Sequence, residues 1–345
     1  MRRFRIPSHL RALAAAFAAL VLLLILLPVV TYPVRPHGGG QKAMVLQVPP
    51  GTSLARMAQE LEKGGVIGSA DSFALYGRLR GAQARIQSGA YELNDGFPPA
   101  EILRRMIAGE VYVERFAVPE GYSIHQLAEM LRQRSILDPK EFLAACRDQA
   151  LLAEYGISGS SAEGYLFPST YDLPPGISAE AAVRLMLDKF RQVYDERFAQ
   201  RVAAQKLSRH QLVTLASLVE KEARMPEERA LIASVFHNRL RRGMPLQSDP
   251  TAVYGLRAFG GTVTARDVRR STPYNTYLIR GLPPGPIGNP GAEALEAVLN
   301  PARTPHLYFV ARQDGSHFFS STLDEHNKGV TRYLRSGQSP AKRGE

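Results

Sequence analysis

The hydrophobic pattern changes character three times along the chain. From Ala12 to Val30 no residue carries a charge, and twelve of the nineteen are Leu, Ile, Val or Phe. As a helix this run is about 28 Å long, close to the roughly 30 Å of a bilayer core. From 44 to 195 the pattern becomes short β-rich runs alternating with amphipathic stretches. Leu54, Met57, Ala58 and Leu61 follow helical spacing, as do Ile124, Leu127, Ala128 and Leu131. Beyond 196 longer helical patterns dominate. Leu212, Leu215, Ala216, Val219 and Ala223 form one stripe, behind a Ser208-x-x-Gln211 capping box. A second helix, Glu227 to about Arg242, buries Ile232, Val235, Phe236 and Leu240 and stops at Gly243. The fold class expected is α+β: an N-terminal transmembrane helix, small strand-helix-helix-strand modules, and a mainly α catalytic domain with a loop-rich cleft.

The region between anchor and C-terminal helices is duplicated. Val48-Pro-Pro-Gly51-Thr-Ser53-Leu54 matches Val118-Pro-Glu-Gly121-Tyr-Ser123-Ile124, and Tyr91-Glu-Leu93 matches Tyr171-Asp-Leu173. The second copy carries an insertion before its last strand. Ser53 and Ser123 are the expected N-caps. Two helices between two strands resemble the small LysM glycan-binding module, and a plain spacer is the competing reading. The expected organisation is a cytoplasmic N-terminus 1–11, a transmembrane helix 12–32, a linker 33–43, a LysM-like module 44–110 and a related module 111–195. A catalytic domain 196–335 and a disordered tail 336–345 complete it.

Charge refines the picture. There are 43 Lys+Arg against 32 Asp+Glu, a net +11, and Arg2, Arg3, Arg5 and Arg11 precede the apolar run. By the positive-inside rule they hold the N-terminus in the cytoplasm and put the rest across the inner membrane. The exit from the run has no A-x-A pattern, so an uncleaved anchor is expected over a cleaved signal peptide. The other basic residues are scattered among acidic ones without a nucleic-acid motif, so no nucleic-acid partner is expected. The single cysteine, Cys146, excludes an intramolecular disulfide and a multi-Cys metal site. No HExxH, no G-x-S-x-G and no phosphate-binding loop occurs, and neither metal nor organic cofactor is expected.

Acid/base chemistry is left to carboxylates. Glu220 and Glu222 lie about 200° apart around a helix, so one is expected to face a cleft and the other solvent. Glu220 follows the apolar Leu218-Val219 step and is the one expected to be partly buried, which raises a carboxyl pKa. The candidate substrate-binding residues are Glu163, Tyr165, Gln247, Asp249, Tyr254, Tyr274, Asn275 and Tyr277. They lie in Pro- and Gly-rich stretches, where tyrosine faces suit sugar rings and amides suit hydroxyl and N-acetyl groups. His317 and His326 read as structural or surface groups.

The ordered motifs Glu163-Gly-Tyr-Leu-Phe-Pro-x-Thr-Tyr171, Ala216-Ser-Leu-Val-Glu220-Lys-Glu-Ala223, Glu228-Arg229-x₅-Val235-Phe-x-Asn-Arg-Leu240 and Gly243-Met-x-Leu-Gln-Ser-Asp-Pro-Thr251 resemble the endolytic murein transglycosylase (YceG-like) family. Pro273-Tyr-Asn-Thr-Tyr277, Gly281-Leu-Pro-Pro-Gly-Pro-Ile287 and Glu325-His-Asn327 extend the resemblance over nearly the whole chain. It implies cleavage of the MurNAc–GlcNAc β-1,4 bond within peptidoglycan strands, outside the cytoplasmic membrane, with Glu220 as the catalytic glutamate. It also implies partners in the cell-wall synthesis machinery. A hydrolysing muramidase and a non-catalytic, membrane-tethered peptidoglycan-binding scaffold are the alternatives.

Overall fold

The computed structural model describes residues 8–205, 207–256 and 263–335. The first seven residues of the expected cytoplasmic segment and the whole expected tail lie outside them. The apolar run forms helix α1, Ser8–Thr31, 24 residues long. Among the described residues, no helix is long and apolar enough to cross a membrane; many α1 side chains fall outside that description.

The chain divides into two compact units after Glu114. In the first, β1 (Ala43–Val48) pairs antiparallel with β2 (Gly89–Asn94), Val48 opposite Gly89. Between them lie α2 (Leu54–Lys63) and α3 (Ala70–Leu79), and α4 (Pro99–Ala108) follows. The Ser53 side chain caps α2, accepting the Arg56 N–H as its spacing requires. Leu54, Met57, Ala58 and Leu61 meet Leu46, Tyr91 and Leu93 in a closed core.

The second unit repeats this order with a third helix before its last strand, where two were expected. Here β3 (Glu114–Ala117) pairs with β4 (Thr170–Leu173), enclosing α5 (Ile124–Gln133), α6 (Pro139–Ala145) and α7 (Gln149–Glu154). Ser123 and Gln126 close a capping box on α5. The repeat reaches side-chain detail: the Tyr91 hydroxyl donates to the Gln87 carbonyl and the Tyr171 hydroxyl to the Phe167 carbonyl, each four residues back.

Helices α8 (Ala179–Arg197), α9 (Ala199–Ala204), α10 (Arg209–Glu222) and α11 (Arg229–Arg241) follow. The short α12 (Asp249–Val253) and α13 (Ala265–Val268), then α14 (Ala292–Leu299), lead to the hairpin β5 (Tyr308–Ala311)–β6 (His317–Ser320), paired antiparallel, and to α15 (Leu323–Val330). The sequence boundary at 195/196 falls inside α8. One hydrophobic core runs from Phe116 to Leu299, so the second module and the C-terminal helices are packed together.

Helix α10 is the centre of this unit. Every residue from Leu212 to Val219 is buried, including Thr214 and Ser217. A helix buried all round has neighbours on every side, here α11 and α14 among them. The stripe read from the sequence marks only part of what is buried. Ser217 avoids an unpaired hydroxyl by donating to the Thr214 carbonyl and accepting the Ile287 N–H at 3.1 Å.

Candidate active site

The last turn of α10 carries Glu220, whose side chain is 6% exposed. One carboxylate oxygen lies 3.1 Å from the Arg229 guanidinium, and the other accepts the Gly291 N–H at 3.0 Å. The same guanidinium nitrogen lies 3.3 Å from a Glu120 oxygen. A Cβ at Gly291 would stand 1.9 Å from the Glu120 carboxylate, so a larger residue there would make that side-chain end move aside. Burial first, and then the charge of Glu220, push the Glu120 carboxyl above the usual carboxylate range.

Glu222 does not face solvent as expected. Its carboxylate accepts the Ser248 hydroxyl at 2.5 Å, and desolvation drives its pKa up to about 7, with Asp249 adding to the rise. The physical reason is the packing of α10: opposite faces of a helix enclosed on all sides both point into protein. Ser248 is held from beyond, its N–H donating to the Thr276 hydroxyl at 3.0 Å. Thr251 joins the same buried hydroxyl network.

Glu163 is a third enclosed carboxylate. It accepts the Ile124 N–H at the start of α5 and the Tyr254 hydroxyl at 2.9 Å. Burial raises its pKa to about 7, although those bonds and the Lys221 charge oppose the rise. Tyr254 lies against Tyr274, ring centroids 4.6 Å apart. The structure therefore joins Glu163, Tyr254 and Tyr274 in one cluster.

The other candidates separate. Tyr165 is a core residue, 1% exposed, edge-on to Phe190 and bonded through its hydroxyl to His210. Asn275 is fully buried; its amide donates to the Val268 and Arg270 carbonyls at 3.1 and 2.8 Å and its oxygen accepts the Tyr277 N–H. The polar atoms of these two make bonds within the fold. Tyr277 donates to Asp249 at 2.6 Å, and that pair sits on the Glu222 side of α10. Gln247 is exposed with a positive φ of 50°, its amide oxygen accepting from Arg239.

Three participants were not among the candidate site residues read from the sequence. Arg229, nine residues on, pairs with Glu220, and Glu120, 100 residues before Glu220, pairs with the same Arg229. Asn289 ties the region together: its side chain accepts the Leu166 N–H at 2.9 Å and donates to the Tyr122 carbonyl at 2.7 Å. One signal was present. The first module has Pro50 where the second has Glu120, so the turn itself needs no carboxylate. His317 is buried and pairs with Glu228 at 2.6 Å, while His326 stacks on Tyr308.

A sequence profile for the YceG-like family matches residues 46–332. The endolytic murein transglycosylase of Bacillus subtilis is 35% identical over 307 residues, covering 84% of this chain and 85% of that protein. The Streptococcus pneumoniae protein of the same name is 29% identical over 331 residues, 86% of this chain. This chain spans 59% of the streptococcal relative's length. A solved structure of a yceG-like protein from Listeria monocytogenes is 32% identical with a TM-score of 0.59, covering 83% of this chain and 98% of that one.

Proposed function

Because this chain belongs to the YceG-like family, we propose that it is a membrane-anchored endolytic lytic transglycosylase of peptidoglycan. It cuts the MurNAc–GlcNAc β-1,4 bond within glycan strands and leaves 1,6-anhydro-MurNAc ends. The observation that carries the reading is the setting of Glu220: a carboxylate at the end of a rigid, buried helix, held by one guanidinium and one backbone N–H.

Glu220 works twice. As the neutral acid it gives its proton to the leaving glycosidic oxygen. As the carboxylate it takes the proton of the sugar's own C6 hydroxyl while that oxygen attacks C1. The ring closes, no water is consumed, and the acid is restored. The attack is intramolecular, so its effective molarity is high. Arg229 and the Gly291 N–H stabilise the carboxylate formed between the two transfers. Glu163 and Glu222, with buried and occupied carboxyls, support the surrounding loops.

The anchor rests on α1. Its 24 residues make about 36 Å of helix, enough for a bilayer core with some tilt. The arginines before it orient the N-terminus to the cytoplasm, so the two units act outside the inner membrane, where contact with the cell-wall synthesis machinery belongs to the same proposal. The family match begins at residue 46, so the anchor is supported by this run alone. The duplicated modules serve as glycan-binding or spacing elements between anchor and active site.

One observation favours a second reading. Glu120 supplies another carboxylate beside Glu220, and ordinary glycosidases use two. Product chemistry decides between them. Purified glycan strands digested with the full chain and analysed by mass spectrometry should give anhydro-MurNAc ends. Reducing-end MurNAc would make the protein a hydrolase, and intact strands would leave a scaffold.

A further inference from the structure

The first module carries an apolar surface that its own core does not use. Helix α3 turns small residues inward: Ala70, Ala74 and Gly77 are buried beside Phe73, and a Cβ at Gly77 would stand 2.6 Å from the Leu54 side chain. Its leucines point outward. Leu75 is 50% exposed and Leu79 68%, four residues apart on one face, where a water-facing helix carries polar side chains. The second module serves as the comparison. Phe73 and Phe142 are both fully buried, and aligning them sets Leu75 against Ala144 and Leu79 against Asp148. The repeated fold therefore does not call for the two leucines.

The first module is the one that follows α1 directly in the chain. Leu75, Tyr76 and Leu79 line a cavity of about 320 Å³ together with Val29, Val30 and Tyr32, where α1 ends. The exit from α1 is fixed to the module: the Tyr32 hydroxyl donates to the Ser69 carbonyl at 3.2 Å, at the start of α3, and Tyr32 packs against the module's core. Further on, the Gly38 N–H donates to the Asp95 carbonyl at 2.8 Å. Helix α3 is thereby held at the level where the apolar run stops. Its end is basic. Arg78, Arg80 and Arg85 are exposed, and Asp71 is the one acidic residue between 70 and 86. Among the described residues none of the three arginines has an ion-pair partner.

We propose that this face of α3 docks on the lipid bilayer that α1 enters. Leu75 and Leu79 enter the acyl region, Tyr32 and Tyr76 lie at the interface, and the arginines reach along their apolar stems to anionic headgroups. Three positive charges against one negative complement an acidic lipid surface. The apolar face of α3 is continuous with the apolar end of α1 through the shared cavity, so one medium covers both. This docking rests on α1 being the membrane anchor and deepens that reading. It makes the first module a seated part of the anchor, held by α3 as well as by the chain that leaves the membrane.

The test uses the full chain reconstituted in vesicles of phosphatidylcholine and phosphatidylglycerol. A nitroxide is attached in turn to the Leu75→Cys, Leu79→Cys and Glu92→Cys variants; the native Cys146 is fully buried and escapes labelling. Glu92 is exposed between the buried Tyr91 and Leu93 of β2, so it points away from the core and reports water. Electron paramagnetic resonance compares collisions with oxygen, which concentrates in lipid, and with a water-soluble nickel chelate. The oxygen-to-nickel ratio at 75 and 79 should exceed that at 92 by about threefold or more. Ratios at 75 and 79 equal to that at 92, in vesicles that retain the chain through an alkaline wash, overturn the docking and leave the anchor standing. Spin–spin broadening at 79 that disappears on dilution with unlabelled chain places a second copy on this face and also overturns the docking. Loss of the chain from the vesicles in the wash overturns both.

Discussion

Asn289 gives the most direct measure of how the site is held. Its side chain accepts the Leu166 N–H at 2.9 Å and donates to the Tyr122 carbonyl at 2.7 Å, and the residue is fully buried. In Asn289→Ala the Leu166 N–H is orphaned in the interior, at about 1–3 kcal/mol. The bond to Tyr122 contributes about 1 kcal/mol more, softened because the Asn289 backbone N–H still donates to the same carbonyl at 2.9 Å. A loss of about 2–4 kcal/mol follows. At about 2–4 °C per kcal/mol for a unit of this size, the melting temperature should fall by roughly 4–16 °C. Calorimetry of the full chain in detergent reads this directly. Asn289→Asp adds a check, because its second oxygen would face the Tyr122 carbonyl and the Glu163 carboxylate in place of a donor. A change below about 2 °C in Asn289→Ala would refute the idea that this amide ties the segment around Glu163 to the turn that carries Glu120.

Glu220→Gln should keep its melting temperature and lose anhydro-product release by about 10²- to 10⁴-fold, measured by chromatography of digested strands. Glu222→Gln should stay within about tenfold of wild type, because burial already favours the neutral carboxyl that glutamine imitates. Both Glu163 and Glu222 have pKa values raised to about 7 from 4.5. The unfolded chain therefore loses these protons first, so the contribution of these two groups to stability should be full below about pH 4.5, fall as pH rises toward 7, and level off above it. Melting temperature against pH reads this, and Glu163→Gln or Glu222→Gln should flatten the slope. Cys146 is fully buried and its thiol is pushed up by desolvation, so it should react with a disulfide reagent only on unfolding; rapid reaction of the native protein would contradict that burial.

The local architecture was legible because its causes are local. Ser53, Ser123 and Ser208 cap helices as their spacing predicts, since a cap needs only a side chain and an N–H three residues on. The module repeat was visible for the same reason: the Val-Pro-x-Gly turns and the Tyr-x-Leu strands meet their partners within each copy. The candidate site was legible in part. Glu163, Tyr254 and Tyr274 do cluster, but Tyr165 and Asn275 spend their polar atoms inside the fold. A motif identifies residues with a job, without separating a job in packing from one at a surface.

The sequence by itself determined the helix that ends in Glu220-Lys221-Glu222, the duplicated modules and the family. Periodicity, capping and motif order are properties of contiguous residues. The environment of each carboxylate was decided only by tertiary structure. Angular position on α10 put Glu220 and Glu222 on opposite faces, and it took the neighbours on both sides to bury them together. Arg229, 9 residues after Glu220, pairs with it and with Glu120, 100 residues before it, along paths no periodicity encodes. A carboxylate's charge depends on the water it loses and the ions it meets, and both are set by what the folded chain brings within a few ångströms.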